Sequence, residues 1–326
     1  MKMKAIVSVG YGTPDVLKLK EVEKPIPAQN EVLIRVHAAS VTAADTMMRK
    51  GSPYIGRLFL GLRKPKISTP GTGFAGKVEA IGKDVELYKV GDAVFGEVIF
   101  APGTHAEFVC VPEDGILAIK PANMTFEEAA PVCDGALTSL NFLKDVAKIK
   151  SGQRVLINGA SGSLGTAAIQ LAKHFGAEVT GVCSTVNLDL VRSLEADKVI
   201  DYTKEDFTKT GQTYDTIYDT VGKSSFSRCK TALSKTGAYV SPVLGLTLLL
   251  QVLRTSLIGN KKAKFAATGL RPVPELRILL SELKVLIEDG RIRSVIDRSY
   301  ALEEIAAAHR YVDKGHKKGN VVITML

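Results

Sequence analysis

The sequence predicts an α/β chain, a doubly wound parallel sheet joined to a second, β-rich unit, on three observations. Residues 154–173 run from an apolar strand (Val155, Leu156, Ile157) through a glycine turn (Gly159, Gly162, Gly165) into a helix. In that helix Ala168, Leu171 and Ala172 recur at helical spacing. Downstream, apolar strands and helices alternate as a parallel sheet requires. Upstream, short segments such as 31–36 and 76–81 alternate apolar with polar and are bounded by Gly and Pro, the pattern of a barrel-like β unit.

Taken in order, the segments at 31–36 and 76–81 are strands of the β-rich unit, and 154–157 opens the parallel sheet. Strands follow at 178–183, 198–201 and 214–219, then a helix at 226–233 and a fifth strand at 238–241. Beyond about residue 262 come Phe265, helices at 274–289 and 302–312, and a strand at 321–323 that returns to the first unit. A chain of 326 residues suits two domains better than one. The expected division is 124–262 for the parallel sheet, and 1–123 with 263–326 for the β-rich unit.

A glycine turn between a buried strand and a helix is an anion site. Gly159 permits the tight reversal, Gly162 lets main-chain N–H groups approach a phosphate, and Gly165 lets the helix lie close to the strand with its positive end toward the ligand. Gly159, Ala160, Ser161, Gly162, Ser163, Leu164 and Gly165 are therefore expected to cradle a dinucleotide pyrophosphate, with Ser184, Val221 and Val243 contacting the same ligand from later strand ends. The second strand ends in Ser184-Thr185-Val186-Asn187, where an NAD enzyme would place an acid on the ribose 2′-hydroxyl. No acid stands there, and small hydroxyls accommodate a 2′-phosphate that a carboxylate would repel, so NADPH (NADP over NAD) is favoured. Val186 occupies a position suited to Lys or Arg and Asp189 follows, leaving Arg192, Tyr202 or Lys204 to compensate.

Across its whole length the chain resembles the zinc-independent medium-chain dehydrogenase/reductases of the quinone oxidoreductase type. The matching segments are 39–45 (ASVTAAD) with 49–51 (RKG), 70–76 (PGTGFAG), 90–96 (VGDAVFG), the glycine turn, 199–202 (VIDY), 214–222 (YDTIYDTVG), 308–310 (AHR) and 319–322 (GNVV). The resemblance implies a Rossmann domain with a GroES-like barrel. It also implies an oxidoreductase of quinones, alkenals, enones or enoyl thioesters, acting as a homodimer. Residues placed near cofactor or substrate by it are Thr42, Tyr54 in the substrate loop, Thr138 at the start of the joining helix, and Asn320.

Zinc relatives need Cys at the position of Thr42, a His-Glu pair at Thr72-Gly73, and a third ligand for which Cys133 is the nearest candidate; catalytic zinc wants three such donors. No metal is expected, and Cys110, Cys133, Cys183 and Cys229 have no CxxC spacing. Without a Lewis acid the acceptor must already be electrophilic, as quinones and α,β-unsaturated carbonyls are, and needs a hydrogen bond and a proton as charge appears on oxygen. Thr42 and Tyr54 are the candidate donors, each with a plain structural alternative, while Asp45 is expected to brace its own turn. His37, His105, His174, His309 and His316 show no metal spacing.

With 45% hydrophobic and 24% charged residues the composition is that of a globular protein, and its scattered basic residues (net charge +9) argue against a nucleic-acid site. The amino end lacks the apolar core of a signal peptide, so cytoplasm is the expected location. Residues 243–258 are too short and interrupted to span a bilayer, and no integral membrane segment is expected. They are read as a helix beside the substrate cleft or at a subunit contact, with a membrane-surface helix as the alternative. Phe265 and its neighbours are read as an edge strand pairing with a twin subunit. Two alternative functions stand beside the reductase: a zinc-independent alcohol or aldehyde oxidoreductase, and an NADPH-binding redox sensor without significant turnover.

Overall fold

The computed structural model describes every residue except Pro53, Ile55, Gly56, Phe100, Pro102 and Leu326. The chain divides into two compact units: Met1–Asp134 with Pro272–Glu288 and Ser294–Leu326, and Gly135–Arg271 with Asp289–Arg293. The second unit therefore runs past the expected boundary at residue 262. The reason is that Lys262–Phe265, read from the sequence as an edge strand but divided from the parallel sheet by the boundary at 262, is hydrogen-bonded into that sheet as its edge.

In the first unit, β1 (Lys2–Ser8) and β2 (Leu17–Glu23) form an antiparallel ribbon. β3 (Glu31–Val41) pairs antiparallel with both β4 (Gly73–Ile81) and β6 (Phe108–Pro112), and the sheet continues through β5 (Ala93–Glu97) to β7 (Ile116–Ile119). Alternation along β3 buries Val32, Ile34 and Val36 against Phe74, Val78 and Val94. Each such side chain contributes about 1.5–3 kcal/mol on burial. Helices α1 (Ala43–Lys50), α2 (Arg57–Leu60) and α3 (Phe126–Ala129) lie in the connections.

The second unit begins with α4 (Thr138–Leu140), flanked by π-helical stretches at Cys133–Leu137 and Asn141–Ala147. Its sheet has β8 (Arg154–Asn158), β9 (Glu178–Cys183), β10 (Lys198–Asp201), β11 (Tyr214–Asp219), β12 (Leu233–Ser241) and β13 (Lys262–Phe265), all parallel. The spatial order is β10-β9-β8-β11-β12-β13, so the winding reverses between β8 and β11, the switch point at which such sheets bind ligands. Val155, Leu156 and Ile157 are completely buried, as a central parallel strand requires. The helices are α5 (Ser163–His174), α6 (Leu188–Ser193), α7 (Phe226–Cys229) and α8 (Leu246–Leu257). The helix expected to reach residue 233 stops earlier, because Leu233 already opens β12.

The chain then returns to the first unit with α9 (Val273–Glu288), β14 (Ile296–Ala301), α10 (Ile305–Asp313) and β15 (Asn320–Thr324). β15 lies antiparallel on β3, pairing Val321 with Val41. Among the described residues no helix is long and apolar enough to cross a membrane.

Candidate active site

The glycine turn lies between β8 and α5, at the carboxyl end of a strand that borders the reversal. Gly159 takes a positive φ of 85°, and a Cβ there would meet Thr220 Oγ1 at 2.5 Å. A Cβ on Gly165 would collide with the Gly159 carbonyl, so the close approach of helix and turn depends on its absence. Gly162 differs: it is the N-cap of α5 in ordinary extended geometry, and a Cβ built on it has one neighbour, the Gly159 carbonyl at 3.5 Å. The open space above Gly162, and a helix N-terminus with no side-chain cap, fit a pyrophosphate. Ala160 is buried beneath the turn, and Ser139 Oγ donates to the Leu164 carbonyl at 2.9 Å, tying the segment containing Thr138 to the start of α5. A Cβ on Gly135 would meet Ser163 Oγ at 2.7 Å, which brings the same segment against Ser163.

The neighbouring turn is built by Asp219 at the end of β11. Its carboxylate accepts from Gly222 N (3.0 Å), Ser224 N (2.9 Å), Tyr239 OH (2.8 Å) and Asn158 Nδ2 (3.0 Å). Val221 and Val243 emerge side by side from this turn and the one after β12, both partly exposed; a Cβ on Gly222 would strike the Val243 side chain.

Where the ribose would bind, Asn187 Nδ2 donates to both Ser161 Oγ and Ser184 Oγ at 3.1 Å, joining the glycine turn to the end of β9. The buried Asn187 Oδ1 has no partner among the described residues, which leaves an acceptor for a ribose hydroxyl. Thr185 Oγ1 donates to Asp201 Oδ2 at 2.5 Å, and the Thr203 hydroxyl donates to Asp201 Oδ1 at 2.7 Å. These hydrogen bonds, the Thr185 hydroxyl first, hold the Asp201 carboxyl below its usual range. The acid missing from the end of β9 is thus supplied from β10, beside exposed Tyr202.

In the first unit, Thr42 caps α1. Asp45 N donates to Thr42 Oγ1 at 3.1 Å and Thr42 N donates to Asp45 Oδ2 at 2.8 Å, a reciprocal capping box, and the Thr42 hydroxyl donates to the same Asp45 oxygen at 2.7 Å. Burial nevertheless pushes the Asp45 carboxyl up to about 6. Asp134 accepts from Thr72 Oγ1 at 2.9 Å and from the Ser40 hydroxyl, and a Cβ on Gly73 would meet its Oδ2 at 2.5 Å. Burial first, then the Asp45 charge, raise Asp134 to about 7, and burial and these two acids raise Glu97. Lys317, whose Nζ donates to the Gly319 carbonyl at 2.5 Å, is pulled down to about 8 by burial, with Asp134 opposing. Three acids and one lysine therefore share a site of low dielectric. Among the described residues no three His, Cys, Asp or Glu side chains converge to hold a metal. Burial raises the Cys133 thiol well above its ordinary value.

Tyr54 is 78% exposed, with the Arg57 guanidinium over its ring at 4.6 Å. It lines an open cleft of about 400 Å³ with Tyr11, Arg49, Lys50, Arg57 and Asp313. Asn320 belongs to the first unit, where its amide donates to the Val295 carbonyl at 3.1 Å. The structure thus collects the glycine turn, Thr138, Ser184, Thr185, Tyr202, Val221 and Val243 in one unit, and Thr42, Tyr54 and Asn320 in the other. Sequence reasoning missed Asp134, Glu97, Lys317, Asn187 and Asp201 as site residues. Only Asp134 carried a signal, a lone acid within the apolar run 129–137.

Comparison with known proteins matches residues 28–121 to the alcohol dehydrogenase GroES-like domain and residues 194–323 to a zinc-binding dehydrogenase domain. The chain is 32% identical to the 2-methylene-furan-3-one reductase of Solanum lycopersicum, over 99% of this chain and 79% of that protein. It is 34% identical to the mitochondrial NAD(P)H oxidoreductase RTN4IP1 of Mus musculus, over 99% of this chain and 89% of that one. The solved structure of the quinone oxidoreductase from Coxiella burnetii superposes with a TM-score of 0.86, at 31% identity and 99% coverage of both chains. Glycine cradle, switch point, antiparallel unit and relatives agree: the chain is an oxidoreductase using a nicotinamide cofactor, and belongs to the quinone oxidoreductase-like branch of the medium-chain dehydrogenase/reductase family.

Proposed function

We propose that this protein is an NADPH-dependent reductase of quinones or α,β-unsaturated carbonyls that works without zinc. The observation that carries the reading is what occupies the metal-ligand positions of zinc relatives. The Thr72 hydroxyl is spent on Asp134, the Thr42 hydroxyl is spent on Asp45, and Gly73 offers no side chain. Neutral hydroxyls engaged in this way, beside a thiol whose ionisation burial opposes, are a poor donor set for zinc. With no Lewis acid, the acceptor must be electrophilic at carbon before it binds. The enone named for the tomato relative and the quinone named for the bacterial one both meet that requirement.

The bound reduced nicotinamide supplies the hydride. The α5 N-terminus and the open face of Gly162 hold the pyrophosphate, while Asn187, Ser184 and Thr185 hold the ribose end. Asp201 limits the margin by which NADPH is preferred, because its charge stands beside Thr185; the exposed Lys204 Nζ, 3.9 Å from Asp201 Oδ2, offsets part of it. When hydride reaches the β-carbon of an enone, the resulting enolate needs one proton at the α-carbon, and the Tyr54 phenol supplies it. A quinone needs no such placement, since its reduced oxygens collect protons from water.

Metal analysis and a chelator test the reading directly. Purified protein is expected to carry no stoichiometric zinc and to oxidise NADPH with quinone or enone acceptors at an unchanged rate after chelation. One zinc per chain, with activity lost on its removal, overturns it.

A further inference from the structure

Tyr54 is carried on the connection between α1 and α2, and Tyr11, from the turn between β1 and β2, fastens that connection at both ends. A Cβ on Gly51 would meet the Tyr11 ring at 2.8 Å, and the Tyr11 hydroxyl donates to the Gly61 carbonyl at 2.7 Å. The segment holding Tyr11 is itself tied to α1: Gly12 N donates to the Arg49 carbonyl at 3.1 Å, and the Arg49 guanidinium donates back to the Gly12 carbonyl. Arg49 is 3% exposed, so the anchor is buried.

Arg57 fills the middle of this frame. Its Nε donates to the Gly51 carbonyl at 3.0 Å and its Nη2 to the Lys50 carbonyl at 3.1 Å, satisfying the end of α1. The same guanidinium lies over two rings, Tyr11 at 4.4 Å and Tyr54 at 4.6 Å. The two carbonyls and the Tyr11 stack are enough to brace the connection. The Tyr54 stack adds nothing to that brace and buries little, because Tyr54 is 78% exposed. Its effect falls on Tyr54 itself: a cation over the ring face restrains a side chain that solvent leaves free to turn.

We propose that Arg57 is a positioning residue for Tyr54 and thereby sets how well the protein reduces enones relative to quinones, an inference that rests on the reading of Tyr54 as proton donor. The α-carbon of an enolate must take its proton from a group held in place, and an error of about 1 Å in such placement costs on the order of 10²-fold in rate. A hydroquinone collects protons from water, so loosening Tyr54 leaves its formation largely alone. Arginine suits the task because its planar fork can satisfy two carbonyls while its face stays on the rings, which a lysine ammonium cannot combine.

Parallel enone and quinone kinetics of the full-length protein test the assignment. Arg57→Met keeps the stem but loses the charge and the hydrogen bonds. It is expected to lower kcat with an enone by about 3–10-fold, the worth of a cation–π contact, with enone KM and NADPH affinity near the parent values and quinone turnover far less affected. Arg57→Lys is expected to recover most of the enone rate, since its ammonium can still lie over the rings. Added to Tyr54→Phe, Arg57→Met is expected to cost nothing further. An equal loss in that background overturns the proposal, as does a rise in enone KM at unchanged kcat, which makes Arg57 a substrate contact instead. The hold on residue 54 is read separately from the chemistry. The chain has no Trp, so Tyr54→Trp installs a single reporter, and its fluorescence anisotropy is expected to fall when Arg57→Met is added. Unchanged anisotropy overturns the proposal. Tyr54→Phe with full enone turnover refutes the donor role, and the catalytic consequence with it, even where the anisotropy shows that Arg57 holds residue 54.

Discussion

The two glycines that open and close the approach to α5 make opposite predictions. Gly162→Val adds a branched side chain in extended backbone geometry that valine adopts freely, into space whose nearest atom is 3.5 Å away. The free protein is expected to melt as before. Gly165→Ala instead drives a methyl into the Gly159 carbonyl and Ala160. Overpacking of this kind costs about 1–3 kcal/mol, a fall in Tm of roughly 3–9 °C at about 3 °C per kcal/mol. NADPH at about 100 times its Kd stabilises the parent by about 2.7 kcal/mol, or roughly 8 °C on the same scale. Differential scanning fluorimetry with and without NADPH separates the effects: Gly162→Val keeps the parent Tm and loses the ligand-induced rise, whereas Gly165→Ala melts early before any ligand is added. If Gly162→Val binds NADPH normally, the pyrophosphate does not lie over this turn. If it is as unstable as Gly165→Ala, the space above Gly162 is not open.

The buried acids predict a pH dependence. A carboxyl whose folded pKa is raised contributes stability that is complete below its unfolded value and is lost as pH rises through the folded one, so Asp134 and Asp45 erode stability from about pH 4 to about 7 and 6 respectively. Asp134→Asn is expected to flatten that decline by on the order of 1–3 kcal/mol, and melts at acid and neutral pH falling in parallel with the parent will refute it. Tyr54→Phe is expected to lower enone turnover by about 10²–10⁴ with quinone turnover far less affected and NADPH affinity unchanged; equal rates with both acceptors remove Tyr54 from the reaction. Asp201→Asn, by removing the charge that Thr185 contacts, is expected to raise the NADPH-to-NADH affinity ratio by about tenfold, and nucleotide titrations showing no change place the 2′-phosphate elsewhere.

How much was legible beforehand follows from how local each signal is. β8, the glycine turn and α5 are contiguous, and their periodicity and backbone demands are written within 20 residues, so strand, turn and helix appear where expected. β13 was not legible as a sixth parallel strand: Lys262 and Lys264 alternate with Ala263 and Phe265 as in an exposed edge, and only pairing with β12 defines it. The acid cluster draws Asp45, Glu97, Asp134 and Lys317 from four distant segments, and no spacing rule links them. Asp201 shows the same limit at shorter range, since the end of β9 looks acid-free until β10 is laid parallel beside it.

The pairing of β15 with β3 has a consequence for the order in which the protein is made. β3 holds the middle of its sheet, yet one of its neighbours is formed from residues 320–324, synthesised after the entire parallel-sheet unit. Gly135–Arg271 needs little from elsewhere in the chain and can condense while the ribosome is still working. Through that interval the side of β3 that awaits β15 presents unpaired backbone groups, a template for wrong partners. Closing the sheet with its last-made strand thus makes assembly of the antiparallel unit the slow and aggregation-exposed stage of folding. Removal of a few residues around Val321 to Ile323 should therefore cost far more soluble protein than an equal deletion in an exposed loop.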